Sequence, residues 1–176
     1  ANAALAFPKK MNELGHEIRA FMPRFGIINE RRHQLHEVIR LSGINVVIND
    51  YDQPLIIKVA SVPGAKIQVY FIDNEEYFKR KGTWEDAQGS FYDDNGARSL
   101  FFSKSIIETI KKLGWQPDVV HVMGWMSAPL PVYLRQFHSD DAHFAGTKVV
   151  YSLFENGFDG NLDKGLEEGM TFDGVQ

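Results

Sequence analysis

His33 and His36 stand three apart, a spacing at which two imidazoles on one helical face could grip a metal ion. The stretch changes from helical to extended character between them. That change separates the rings, and no metal pair is expected there. His121 lies inside the apolar run VVHVM, where a histidine is ordinarily a satisfied core residue. Met123 and Gly124, two and three places further on, fall at the carboxyl end of that strand, where open α/β sheets bind ligands. Gly124 frees the backbone for a turn closed to other residues and lets a ligand approach the main chain. A tight strand-to-helix turn with Trp125 in the core accounts for the same residues without any ligand. Ser127 or a nearby backbone group is expected to cap the following helix, with Pro129 and Pro131 in its first turn. The free N–H groups of that turn would attract an anion, less the two donors the prolines remove.

A second cluster, NEEYFKRKG, gathers Glu75, Glu76, Tyr77, Lys79, Arg80 and Lys81 just after a strand. Tyrosine among acids and bases can bind sugar hydroxyls by stacking and charge-assisted hydrogen bonds. Charged loops are more often simply solvated, and INERRHQ reads as surface for that reason. No GxGxxG, Walker loop, HExxH or GxSxG is present, so motifs alone name no chemistry.

Positioning these residues falls to elements that alternate in type. Ala4 to Leu14 carries Leu5, Phe7, Met11 and Leu14 at roughly helical spacing, with Pro8 in an early turn and Gly15 as the stop. GHEIRAFM follows as a strand and PRFG as its exit loop. From Leu35 to Ile72 the runs LHEVIRL, INVVI, LIIKVASV and KIQVYFI are separated by Asn49-Asp50, Gln53-Pro54 and Pro63-Gly64, which predicts hairpins. Arg98 to Leu113 is predicted as a helix with Phe102, Ile106, Ile110 and Leu113 on one stripe. Glu108 is expected to pair with Lys112, Asn95 to cap the start and Gly114 to follow the end. VVHVM is a strand covered on both faces, Leu130 to Phe137 a helix, and KVVYSLF a further strand. GLEEGMTFDGVQ reads as a polar tail with no final element. The fold class is α/β: a Rossmann-like parallel-sheet sandwich with an inserted β-hairpin region.

Apolar residues make up 44% of the 176 and charged residues 24%, ordinary values for a soluble domain able to bury one core. A net charge of −4 argues against a nucleic-acid partner. No apolar run approaches the length of a membrane span. The absence of cysteine excludes disulfides and thiolate metal sites. A cytoplasmic protein without nucleic-acid or membrane partners is expected. The chain opens in a helix with no strand before it, and the initial ANA has the look of a cloning remnant. Residues 1–176 are therefore expected to be a single, truncated N-terminal domain of a longer protein.

Three longer segments, ALAFPKKMNELGHEIRAFMPRFG, VYFIDNEEYFKRKGTW and FYDDNGARSLFFSKSIIETIKKLGWQPDVVHVMGW, are followed by YSLFENG. In this order and spacing, over roughly residues 5 to 160, they resemble the catalytic domain of bacterial glycogen synthases and plant starch synthases, glycosyltransferase family 5. The resemblance implies one half of a GT-B two-domain fold. That half would hold the acceptor α-1,4-glucan and part of the glucose site, while a C-terminal domain outside this chain would hold most of the nucleotide. Such enzymes transfer glucose from ADP-glucose, a donor substrate, to the non-reducing end of the glucan with retention, using no metal or other cofactor. A leaving diphosphate needs cationic donors, and the oxocarbenium-like centre needs positioned dipoles and exclusion of water.

By this resemblance Tyr77, Asp94, Asn95, His121 and Trp125 keep family residues. The family's lysine–glycine–glycine–leucine loop would precede Ala1. Gly124 stands where the family has an aspartate, Met126 where it has a second histidine, and Phe154 where a histidine follows the next strand. Tyr77, His121, Gly124, Trp125, Met126 and Phe154 are the expected substrate-binding residues, and no catalytic residue is assigned. Losing one polar group that contacts a transition state commonly costs about 3 kcal/mol. Two readings follow: the acceptor-side domain of a glucosyltransferase, inactive alone, or a catalytically degenerate glucan-binding or regulatory module. A flavodoxin-like module for a phosphorylated ligand would rest on topology alone, and no glycine-rich turn supports it.

Overall fold

The structure, a computed structural model, describes residues 2–154 and 164–176. Its elements run α1 (Asn2–Glu13), β1 (Arg19–Pro23), β2 (His36–Glu37), β3 (Ile44–Ile48), β4 (Tyr51–Ser61), β5 (Gln68–Asp73), α2 (Glu75–Phe78), α3 (Asn95–Lys112), β6 (Val119–Met123), a 3₁₀ turn (Trp125–Ser127), α4 (Leu130–Phe137), β7 (Lys148–Ser152) and α5 (Lys164–Phe172). They form two compact units. The first comprises Ala1–Ile44 and Leu55–Thr83, the second Asn45–Pro54 and Trp84–Gln176. Among the described residues no helix is long and apolar enough to cross a membrane.

In the first unit β1 and β5 pair in parallel, from Arg19 opposite Gln68 to Pro23 opposite Ile72. β4 runs antiparallel to β5 with Ile57 opposite Ile72, and the short β2 lies along β4. The inserted hairpins are present. Gly64 turns β4 into β5 at φ +75°, and Val62 N donates to the Ile67 carbonyl at 2.9 Å. Asn49 (φ +51°) lies in the turn between β3 and β4, a left-handed position that asparagine tolerates. Two sequence expectations change here. β4 runs straight through Gln53-Pro54, because Gln53, Leu55 and Ile57 are buried in strict alternation and that period of two outweighs the proline. LHEVIRL keeps only β2, since the chain turns at Val38, whose carbonyl accepts from Leu41 N and Ser42 N.

Leu55, Ile57, Ile72 and Phe78 have no exposed surface and form the centre of this unit. Asp73, at the carboxyl end of β5, takes Arg24 Nη2 at 3.0 Å and Lys58 Nζ at 2.9 Å; Lys58 also meets Glu30 at 2.7 Å. These ion pairs tie the ends of β1 and β5 to the body of β4. α1 begins earlier than its spacing suggested, so Pro8 is interior and one helical hydrogen bond is lost.

In the second unit α3 is buried nearly all round. Leu100, Phe101, Phe102, Ile106, Ile107 and Ile110 are each 5% exposed or less, a wider face than the single predicted stripe, because α4 and α5 both pack on it. Asp94, not Asn95, precedes the helix, and no side chain caps it. Glu108 lies 3.7 Å from Lys111 rather than pairing with Lys112. β6 and β7 pair in parallel, from Val119 opposite Lys148 to Met123 opposite Ser152, with α4 between them in sequence. This strand, helix and parallel strand are as the alternating pattern implied.

The tail expected to be structureless is helix α5 from Lys164. Gly169 looks like a helix breaker in sequence, yet a Cβ there would sit 2.3 Å from Leu100 Cδ1. The glycine permits close helix packing, which supplies what its low propensity withholds.

Candidate functional site

The site is built where the parallel pair β6 and β7 ends. After Met123 the chain enters Gly124 at φ +78° and ψ 170°, a region open essentially to glycine alone. A Cβ at Gly124 would meet nothing within 4 Å. Glycine is therefore required by the backbone angle and not by crowding.

Hydroxyl groups hold the carbonyls of this turn. Ser127 Oγ donates to the Met123 and Gly124 carbonyls at 3.2 and 3.3 Å, Tyr151 Oη to the Gly124 carbonyl at 3.2 Å, and Ser99 Oγ of α3 to the Met126 carbonyl at 3.0 Å. Ser127 thus locks the turn and does not cap α4, whose N-cap is Pro129 without a side-chain bond.

Trp125 is half-buried and stands in an aromatic cluster. Its ring lies 6.4 Å from Trp84, edge to face, and 5.9 Å from Phe91. A closed loop brings those two partners together. The Trp84 carbonyl accepts from Tyr92 N at 3.0 Å and Asn95 Nδ2 at 2.8 Å, while Asp86 N donates to the Ser90 carbonyl at 2.9 Å. Asn95 Oδ1 also accepts from Arg98 Nη1 at 2.6 Å, and Arg98 lies 5.2 Å from the centre of the Tyr92 ring. Asn95 therefore anchors the Trp84 strap instead of capping α3.

His121 is half-buried, and its Nε2 lies 2.7 Å from Ser152 Oγ. The pairing of His121 with Val150 puts Ser152 on the same sheet face, two residues further along β7. Met126 follows Trp125 in the 3₁₀ turn and is half-buried. Phe154, just past β7, is 53% exposed. The rest of YSLFENG, from Glu155, lies outside the described residues.

The structure gathers His121, Gly124, Trp125 and Met126 around one turn, with Phe154 at the end of the neighbouring strand. Tyr77 belongs to the first unit. It is 6% exposed, its N–H bonds to Asn74 Oδ1 at 2.9 Å, and its ring meets Phe78 edge to face. Sequence reasoning passed over Trp84, Phe91, Tyr151, Ser152 and Ser99. Trp84 and Phe91 sit in a polar, glycine-bearing excursion with no apolar period to mark them. Ser152 becomes visible only through the register of β6 and β7.

Chemically, the arrangement offers aromatic faces for the C–H surface of a sugar and, at His121 and Ser152, polar groups for its hydroxyls. The turn Met123–Ser127 carries no ionisable side chain, so it can bind and orient but moves no proton itself. Among the described residues no group of three or more histidine and carboxylate side chains could hold a metal ion.

Known proteins resemble the chain over nearly all its length. The family model for the starch synthase catalytic domain matches residues 1–174. The glycogen synthase of Chlorobium limicola is 38% identical over 154 residues, covering 87% of this chain and 32% of that protein. The glycogen synthase of Chlorobaculum tepidum is 39% identical over the same span, with the same coverage. The chain spans about a third of the length of the curated relatives it matches. In fold it is similar to the catalytic domain of starch synthase IV from Arabidopsis thaliana, solved bound to ADP and acarbose. The TM-score is 0.72 at 16% identity, over 85% of this chain and 29% of that one. At that identity the likeness shows the fold alone, the Rossmann-like α/β arrangement of a GT-B protein. With its length matched almost throughout, the chain belongs to the starch synthase catalytic domain family.

Proposed function

We propose that this chain is the acceptor-side domain of a glycogen or starch synthase-like glucosyltransferase, which moves glucose from ADP-glucose to an α-1,4-glucan. The observation that carries the reading is the aromatic group Trp125, Trp84 and Phe91 at the turn that follows β6; His121 of β6 and Ser152 of β7 form a polar couple on that strand pair. Stacked rings take up the apolar face of a glucose unit, and the couple offers its hydroxyls a partner. A backbone in the glycine-only region at Gly124 allows the sugar close to the main chain. ADP in the fold relative supports a nucleotide donor, which a C-terminal domain of the same protein would hold. In that scheme ADP-glucose is a substrate and no further cofactor takes part. These residues alone bind glucan and do not turn over.

Titration calorimetry of the chain with maltoheptaose tests this. Binding is expected, and Trp125→Ala should weaken it by about tenfold, the worth of the apolar ring surface that a sugar would cover. No binding at millimolar oligosaccharide would contradict the reading. The longer protein, given ADP-glucose and glycogen, should incorporate glucose.

A second reading, a glucan-binding or regulatory module without transfer, draws on the turn itself. Gly124, Met126 and Phe154 replace polar groups of the family pattern, and the Gly124 backbone is built for glycine. It expects maltoheptaose binding with no turnover by the longer protein on any nucleotide sugar.

A further inference from the structure

A single carboxylate just past α5 is tied to two other helices. Asp173 accepts from Lys104 Nζ of α3 through both oxygens, each at 2.9 Å, and from Tyr133 Oη of α4. Lys104 Nζ also reaches the Val47 carbonyl at 2.6 Å and lies 5.8 Å from the centre of the Tyr133 ring. Gln136 Nε2 of α4 donates to the Gly174 carbonyl at 3.2 Å. The Lys104 and Asp173 side chains are only 19% and 15% exposed, so losing either partner leaves a poorly solvated charge. Burial first, and Asp173 second, hold the Tyr133 phenol well above its ordinary range, so it remains a donor.

The two helices joined at Asp173 are the two that hold the Gly124 turn. α3 does so through Ser99, which grips the Met126 carbonyl and lies only five residues before Lys104. α4 starts directly after the turn, and its Tyr133 N and Val132 N bond to the Pro129 carbonyl. Leu100, next to Ser99, is the residue on which Gly169 of α5 seats. We propose that Asp173 is a positioning residue: by clasping α3 to α4 it fixes how the Trp125–Ser127 turn presents its aromatic face, and α5 thereby controls glucan affinity without touching the ligand. The proposal deepens, and rests on, the reading of this turn as a glucan site.

Hydrogen exchange read by mass spectrometry on the 176-residue chain, beside maltoheptaose calorimetry, tests the clasp. In Asp173→Asn the amides of residues 123–128 should exchange about fivefold faster while β1 and β5 stay unchanged, and affinity should fall by about three- to tenfold. Asp173→Glu, which keeps the charge, should recover most of both effects. Unchanged exchange at 123–128 with α5 loosened overturns the proposal, as does unchanged affinity in a chain that binds. If the unsubstituted chain binds no maltoheptaose, the glucan reading fails, and exchange alone decides the clasp. If Asp173→Asn does not fold, Tyr133→Phe removes only the α4 bond. It should speed exchange at 123–128 in the same direction, and no change there refutes the clasp.

Discussion

At Gly124 the backbone sets the residue type. An aspartate at this position would have to adopt φ +78° with ψ 170°, which no side-chain-bearing residue holds cheaply. Gly124→Ala should lose about 1–3 kcal/mol of stability in urea unfolding, and Gly124→Asp no less, although open space surrounds the position. An unchanged midpoint for Gly124→Ala would show that the turn re-forms freely. The glycine is thus tied to the shape of the turn. Gly124 was legible in the sequence as a turn residue. The Ser152 hydroxyl beside His121 was not, because one strand slip of a single residue would have turned it to the opposite face.

Among the elements, α4 ends on a titratable cap. His138 closes its C-terminus, with Glu108 and Lys111 of α3, Asp141, and the Phe144 ring around it. Burial first, then Lys111, lower its pKa below the ordinary 6.5, against the pull of Asp141 and Glu108. The folded chain therefore binds this proton less readily than the unfolded one. Stability from the neutral ring is complete above about pH 6.5 and is lost as pH falls through the lowered folded value. Thermal melts between pH 7.5 and about 5 should show this loss, and His138→Gln should flatten its slope. Equal slopes would remove His138 from the account.

α3, with its apolar period, was readable from sequence. β6 was readable as a strand from its apolar run, although Val122 alone is buried and Val119 is 52% exposed where cover on both faces was expected. α5 was not readable. Its two glycines, Gly165 and Gly169, argue against a helix until Leu100 is known to need the space. Asn95 misled in the same way: a residue type suited to capping serves instead to hold the Trp84 carbonyl. In both cases a tertiary partner decided a role that local preference assigned elsewhere.

For the whole molecule, the parallel pair β6/β7 was foreseeable from the alternation of elements late in the chain, and the inserted hairpins from their turn residues; the parallel pairing of β1 with β5 across those hairpins was not. The division into two compact units was not, since Asn45–Pro54, which carries most of β3 and the start of β4, joins the second unit while the rest of β4 joins the first. The chain's place in the starch synthase catalytic domain family accounts for the ordered segments. The central claim is that Trp84 and Trp125 form a glucan-binding wall. The chain has three tryptophans, and the third, Trp115, lies just beyond the end of α3, outside that wall. Maltoheptaose titrated into ¹⁵N-labelled protein should shift the indole N–H signals of Trp84 and Trp125 and leave that of Trp115 in place. Shifts confined to Trp115, or none at all at millimolar sugar, would contradict it.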